Sequence, residues 1–185
     1  INKANIVVTN KIELNKSNLK SAKDLELIAI TATGTNIIDL DYCKAHNISV
    51  CNLRNYASVS VAEHVLTLML TLSKNIKGLE RDINKKIWQK RKVFALLSRE
   101  INDLNGKTLG IIGFGRIGQA MASRGHFGFG MKIKIFSRSQ VSAELLKRYN
   151  AEQFSSVETL LSESDFVSLH CPGGASNRHL INASN

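Results

Sequence analysis

The chain has 185 residues, 43% of them apolar and 22% charged, a balance that excludes a disordered or fibrous protein. No apolar run reaches the ~18 residues of a membrane span, and Ile1-Asn2-Lys3 does not read as the start of a secretory signal. The formal charge of +10 admits a polyanionic partner, while three cysteines (Cys43, Cys51, Cys171) without a C-x-x-C pair suggest a reduced, cytoplasmic setting and no metal framework.

The first half alternates short apolar runs with helical patterns. Residues 5–9, 27–31 and 48–51 read as strands, and 17–23 and 39–46 as helices, with Asp39 or Asp41 as an N-terminal cap. Continuous apolar runs between helices predict a parallel sheet covered on both faces. Next, Val61, Val65, Leu68, Leu72 and Ile76 recur at helical spacing, which predicts one long helix over 58–79. Its tail begins a basic run: eight Lys and Arg between Lys74 and Lys92 stand against Glu80 and Asp82, with Trp88 the single aromatic residue. Without a zinc or helix-turn-helix signature, a solvated helical face explains this run better than a nucleic-acid surface.

The second half opens with a turn at 104–107 and continues as strand, glycine turn, helix 116–125, strand 132–136, helix 142–149, a short extended piece at 152–154, helix 156–162 and strand 166–170. That order is the pattern of an α/β protein with a doubly wound parallel sheet. Gly113, Gly115 and Gly118 carry the G-x-G-x-x-G spacing directly after the buried run 108–112 and at the head of a helix. The first glycine permits a tight turn, the second lets a pyrophosphate approach the backbone, and the third lets helix pack on strand. Free N–H groups and the helix dipole then face the anion. A dinucleotide-binding site follows from that setting rather than from the glycines alone. Arg116, in the first helical turn, opposes the dipole unless an anion offsets it, so it is expected to contact phosphate.

Four ordered motifs carry a more specific resemblance: Thr31-Ala-Thr-Gly-Thr-Asn-Ile-Ile-Asp39; Asn52-Leu-Arg-Asn-Tyr-Ala-Ser-Val-Ser-Val-Ala-Glu-His64; Leu104-Asn-Gly-Lys-Thr-Leu-Gly-Ile-Ile-Gly-Phe-Gly-Arg-Ile-Gly118; and Ser168-Leu-His-Cys-Pro172 with Asn177-Arg-His-Leu-Ile-Asn182. Together they resemble the D-isomer-specific 2-hydroxyacid dehydrogenases, and within them the glycerate dehydrogenase/hydroxypyruvate reductase branch. The resemblance implies a Rossmann-type NAD(P)-binding domain at 78–185 and part of a flavodoxin-like substrate domain at 1–77, the latter ending in the long helix. It also implies hydride transfer between a nicotinamide and a small 2-hydroxy or 2-oxo acid, with hydroxypyruvate or glyoxylate as substrate, and a homodimer.

By the same resemblance, Gly113, Gly115, Arg116, Ile117, Gly118, Cys171, Pro172 and Asn177 bind the cofactor, and the amides of Thr33, Gly34 and Thr35 hold the substrate carboxylate. The family's catalytic arginine, glutamate and histidine would follow Leu180-Ile-Asn182, so no catalytic residue is assigned to this chain. With the missing initiator methionine and the single proline, Pro172, this leads us to expect an inactive piece of a longer enzyme. His64, beside Glu63 on a helix, does not face it and is expected to pack or to cap an interdomain cleft rather than catalyse.

Ser137 and Arg138 depart from the NAD pattern. An acidic residue usually ends the second strand about twenty residues beyond the glycines and binds the ribose hydroxyls. Here Ser137 occupies that place, nineteen residues after Gly118, and Arg138 follows. With no carboxylate to repel a 2′-phosphate and a guanidinium to bind one, NADP is expected over NAD. The competing expectation is a dinucleotide-sensing regulatory module of the C-terminal-binding corepressor type, which shares the fold and could use the basic run 74–92.

Overall fold

The computed structural model describes residues 1–97, 99–174 and 177–185. Two compact units divide the chain, Ile1–Tyr56 and Ala57–Asn185. No described helix is long and apolar enough to cross a membrane.

The first unit is a parallel sheet of β1 (Ile6–Thr9), β2 (Leu27–Ile30) and β3 (Ser49–Asn52), in that order, with α1 (Lys16–Leu19) and α2 (Leu40–Ala45) between them. Asn15 caps α1 by accepting from the Ser17 N–H, and Asp39 caps α2 by accepting from the Tyr42 N–H at 2.9 Å. Leu19, Ile28, Ile30, Cys43 and Ile48 form the core, joined by Val7 and Val50. The strand residues among them, Val7, Ile28, Ile30 and Val50, share one face of the sheet. On the other face Ile6 and Val8 are 60% and 67% exposed, so within this unit the sheet is covered on one side only, where cover on both was expected.

The second unit begins with α3 (Ser58–Ser73), α4 (Ile76–Asn84) and α5 (Ile87–Arg91). The single helix expected over 58–79 is broken at Asn75, whose left-handed backbone (φ +49°) ends one helix and redirects the next. Asparagine tolerates that conformation better than most residues. The division between units also falls at Tyr56 and Ala57 rather than after residue 77. The reason is packing: Ala62 and Met69 on α3 are buried in the second unit's core beside Leu109, Met121 and Ile133. Arg99 crosses α4 to meet Asp82 in a two-pronged ion pair (2.7 and 2.8 Å), and Asp82 is only 4% exposed.

A four-stranded parallel sheet follows, ordered β6 (Ala151–Phe154), β5 (Lys132–Phe136), β4 (Thr108–Ile112), β7 (Phe166–Leu169). Leu109 and Ile111 point to the face covered by α3 and α6 (Arg116–Ser123), whereas Ile112 points to the face where α8 (Val157–Ser162) buries Val157 and Leu160. α7 (Ala143–Arg148) joins β5 to β6. The helix expected at 116–125 continues as one π-turn, Arg124–Gly128, in which Gly125 lies against Leu109 and Ile133. In strand order the chain leaves β4 toward β5 and β6, then returns to β7 on β4's other side. This switch point opens a crevice at the carboxyl end of β4, where open α/β sheets bind ligands.

Candidate functional site: a glycine-walled crevice at the end of β4

The crevice is a cavity of about 250 Å³ bordered by Gly113, Gly115, Ser137, Arg138, Ser139, His170, Cys171, Pro172 and Asn177, with an apolar margin of Ile112, Phe136 and Leu180. Seven residues singled out from the sequence therefore meet in one place: Gly113, Gly115, Ser137, Arg138, Cys171, Pro172 and Asn177. Arg116 and Ile117 sit on the first turn of α6 outside this lining, Arg116 exposed and Ile117 half-buried, and Gly118 is buried behind them.

Each glycine of the turn has a separate steric duty. Gly113 has φ +93°, and a Cβ there would lie 2.6 Å from the Cys171 nitrogen and 2.8 Å from the His170 oxygen. Its lack of a side chain lets the end of β4 abut the end of β7. Gly115 is different: a Cβ there would meet nothing within 4 Å. The protein itself leaves that side open, as expected where a ligand comes against the backbone. Gly118 is pressed against the carbonyl of Gly113 and the Ile111 side chain, fixing α6 on β4.

Gly115, at the N-cap of α6, has no side chain to cap it, and no acidic residue lies in the helix's first turn. Its first N–H groups thus have neither a capping oxygen nor a nearby carboxylate to compete with an incoming anion. The Phe114 ring turns away into the core, edge-on to Tyr149 at 6.0 Å, while Gln119 Nε2 donates to the Phe114 oxygen at 3.3 Å. These contacts hold the turn rigid. A pyrophosphate fits the donor set that remains.

The opposite wall is built by β7 and the segment after it. His170, within the Ser168-Leu-His-Cys-Pro172 motif, lines the cavity. Its Nε2 stands 2.8 Å from Ser168 Oγ, its N–H donates to the Ile112 oxygen at 2.7 Å, and burial holds its imidazole below the ordinary histidine range. Its place beside the first glycine could not be read from local sequence, because it depends on β4 and β7 pairing across more than fifty residues. Asn177 Nδ2 donates to the Pro172 oxygen at 2.6 Å.

At the end of β5, Ser137, Arg138 and Ser139 form the third wall, and among the described residues no Asp or Glu borders the cavity. In the first unit, Thr33, Gly34 and Thr35 follow the carboxyl end of β2. Asn52 Nδ2 donates to the Thr33 oxygen at 2.7 Å, and the Ile38 N–H donates to the Thr35 oxygen at 3.0 Å, giving this loop a fixed shape. His64 is exposed on α3. Among the described residues, no group of three His, Cys, Asp or Glu is arranged to hold a metal ion.

Comparison with known proteins gives this geometry a lineage. Residues 66–185 match the family described as "D-isomer specific 2-hydroxyacid dehydrogenase, NAD binding domain". The chain is 36% identical to a glycerate dehydrogenase of Methylorubrum extorquens, covering 97% of this chain and 54% of that protein. It is also 36% identical to a hydroxypyruvate reductase of Thermotoga maritima, covering 96% and 54%. Among solved structures, D-lactate dehydrogenase from Aquifex aeolicus, complexed with NAD and lactic acid, superposes with a TM-score of 0.83 at 34% identity, over 98% of this chain and 52% of that one. The chain spans about half the length of these relatives. With the family match covering most of the chain and the glycine turn set at the sheet's switch point, this protein belongs to the D-isomer-specific 2-hydroxyacid dehydrogenases.

Proposed function

We propose that this chain supplies the dinucleotide-binding site of an oxidoreductase that interconverts a small D-2-hydroxy acid and its 2-oxo acid, of the hydroxypyruvate or glyoxylate reductase kind. The observation that carries this reading is the open face of Gly115 beside an uncapped helix N-terminus, at the carboxyl end of the central strand. In this reading the amides of the 113–118 turn hold the pyrophosphate and Arg116 adds a positive charge from its edge. Cys171, Pro172 and Asn177 form the wall along which the cofactor lies. The bound nicotinamide supplies the hydride donor or acceptor. Thr33, Gly34 and Thr35 present backbone amides to the substrate carboxylate. No proton-transfer residue is assigned to this chain.

Ser137 and Arg138 support NADP over NAD. A guanidinium bordering a cavity that no carboxylate borders among the described residues favours a ribose 2′-phosphate by charge-assisted hydrogen bonding. Equilibrium titration of the full-length protein with NADPH and NADH tests both levels of the reading. Tighter binding of NADPH supports it; tighter binding of NADH removes the role of Arg138, and binding of neither removes the cofactor site.

The same proposal includes self-association. Leu68 and Leu72 stand one turn apart on α3 and are 51% and 73% exposed, and Trp88, Phe94 and Leu97 are also exposed farther along. Trp88, Phe94 and Leu97 border one apolar pocket, and exposed apolar side chains gathered in this way are typical of a contact with another chain; a second copy is the occupant proposed.

A further inference from the structure

We propose that Gln153 is a positioning residue for cofactor selection, fixing the backbone from which Arg138 departs. The proposal rests on the reading of Arg138 above. Gln153 sits on the edge strand β6, paired in register with Ile135 of β5. Its side chain reaches past the end of β5 into the segment 137–141. There Oε1 accepts from the Val141 N–H at 2.8 Å, while Nε2 donates to the Ser139 oxygen at 3.0 Å and, more loosely, to the Ser137 oxygen at 3.5 Å.

The two carbonyls belong to the residues on either side of Arg138. Ser137, Arg138 and Ser139 all border the cavity, and Val141, at the far end of the segment, is buried. One side chain thus binds the loop before, after and beyond the arginine. Only a carboxamide can do so, since it offers an acceptor and two donors on one planar group. A glutamate would face two carbonyls with no proton to give them. A methionine would keep the length and lose every bond.

Arg138 has a long, exposed side chain, and ordering its backbone in advance lowers the cost of recruiting it to an anion. Gln153 need not touch the ligand to matter. Its effect should therefore appear only for ligands that carry a 2′-phosphate, and only while Arg138 is present.

The test uses adenosine 2′,5′-bisphosphate and 5′-AMP as probes, titrated into the full-length protein, with thermal unfolding as a control for folding. Wild type is expected to prefer the bisphosphate. Q153M should cut that preference by about tenfold and leave 5′-AMP affinity essentially unchanged. Q153E should cut it at least as much and serves as the second variant if Q153M does not fold. In an R138A background, Q153M should change nothing further. An unchanged preference in the folded Gln153 variants, parallel weakening of both probes, or a preference change that persists without Arg138 would each overturn the role of Gln153. Absence of preference in the wild type would instead strike the Arg138 reading, and this inference with it.

Discussion

A Cβ on Gly118 would stand 2.3 Å from the carbonyl oxygen of Gly113, so the first and third glycines of the turn are locked against each other. Gly115, between them, touches nothing on its open side. The same motif thus holds two positions required by the fold and one left free by it, and the two kinds respond differently to substitution.

Gly118→Ala should destabilise the protein by about 1–3 kcal/mol, since the clash is with backbone and cannot be relieved by a rotamer change. Chemical denaturation should show a lower midpoint at an unchanged slope. A variant as stable as wild type would mean that α6 does not need its close seat on β4.

Arg138→Ala should weaken NADPH by roughly tenfold to a hundredfold, the range for losing a hydrogen bond to a charged group, while NADH changes little. Competitive titration of the two cofactors reads this directly. Equal losses for both would place Arg138 outside the ribose subsite.

The pH dependence of stability should fall in two stages. Burial lowers the His170 pKa in the folded protein, so folding favours its neutral form. Its contribution is complete above about pH 6.5 and diminishes as pH falls toward the folded value. Asp165 is held low chiefly by accepting from the Thr108 N–H at 2.8 Å, with Lys107 adding to it. Its contribution persists above the ordinary carboxylate range and is lost as pH falls through the depressed value. Melting temperatures measured between pH 8 and pH 3 should show both stages, with His170→Asn abolishing the upper and Asp165→Asn reducing the lower, which Asp103 and Glu158, also held low by their hydrogen bonds, share.

Leu72→Glu should leave the melting temperature within a few degrees, because an exposed side chain contributes little to its own fold. It should also shift a dimeric wild type toward monomer in sedimentation. An unchanged oligomer would move the interface off this face of α3.

The glycine turn was legible because its chemistry is local: spacing, a buried strand before it and an amphipathic helix after it all lie within 108–123. The strands were legible for a similar reason, and β5 matches its expected range of Lys132–Phe136 throughout. What escaped was set by contacts distant in sequence. The apolar period of α3 continues past Asn75, so periodicity could not reveal that the backbone turns there. Ala62 and Met69 gave no sign that they belong to the second unit until Leu109 and Ile133 were seen against them. Gln153 reads as an ordinary strand residue. Its bonds to the segment after β5 depend on the pairing of β6 with β5, and no local pattern encodes them.

The sharpest measurement is NADPH affinity in the Gly115→Val variant, taken beside its melting temperature. The expected result is a folded protein close to wild-type stability whose affinity falls at least tenfold, because the new side chain occupies ground reserved for the pyrophosphate. Undiminished affinity in that folded variant would contradict a cofactor resting on this turn.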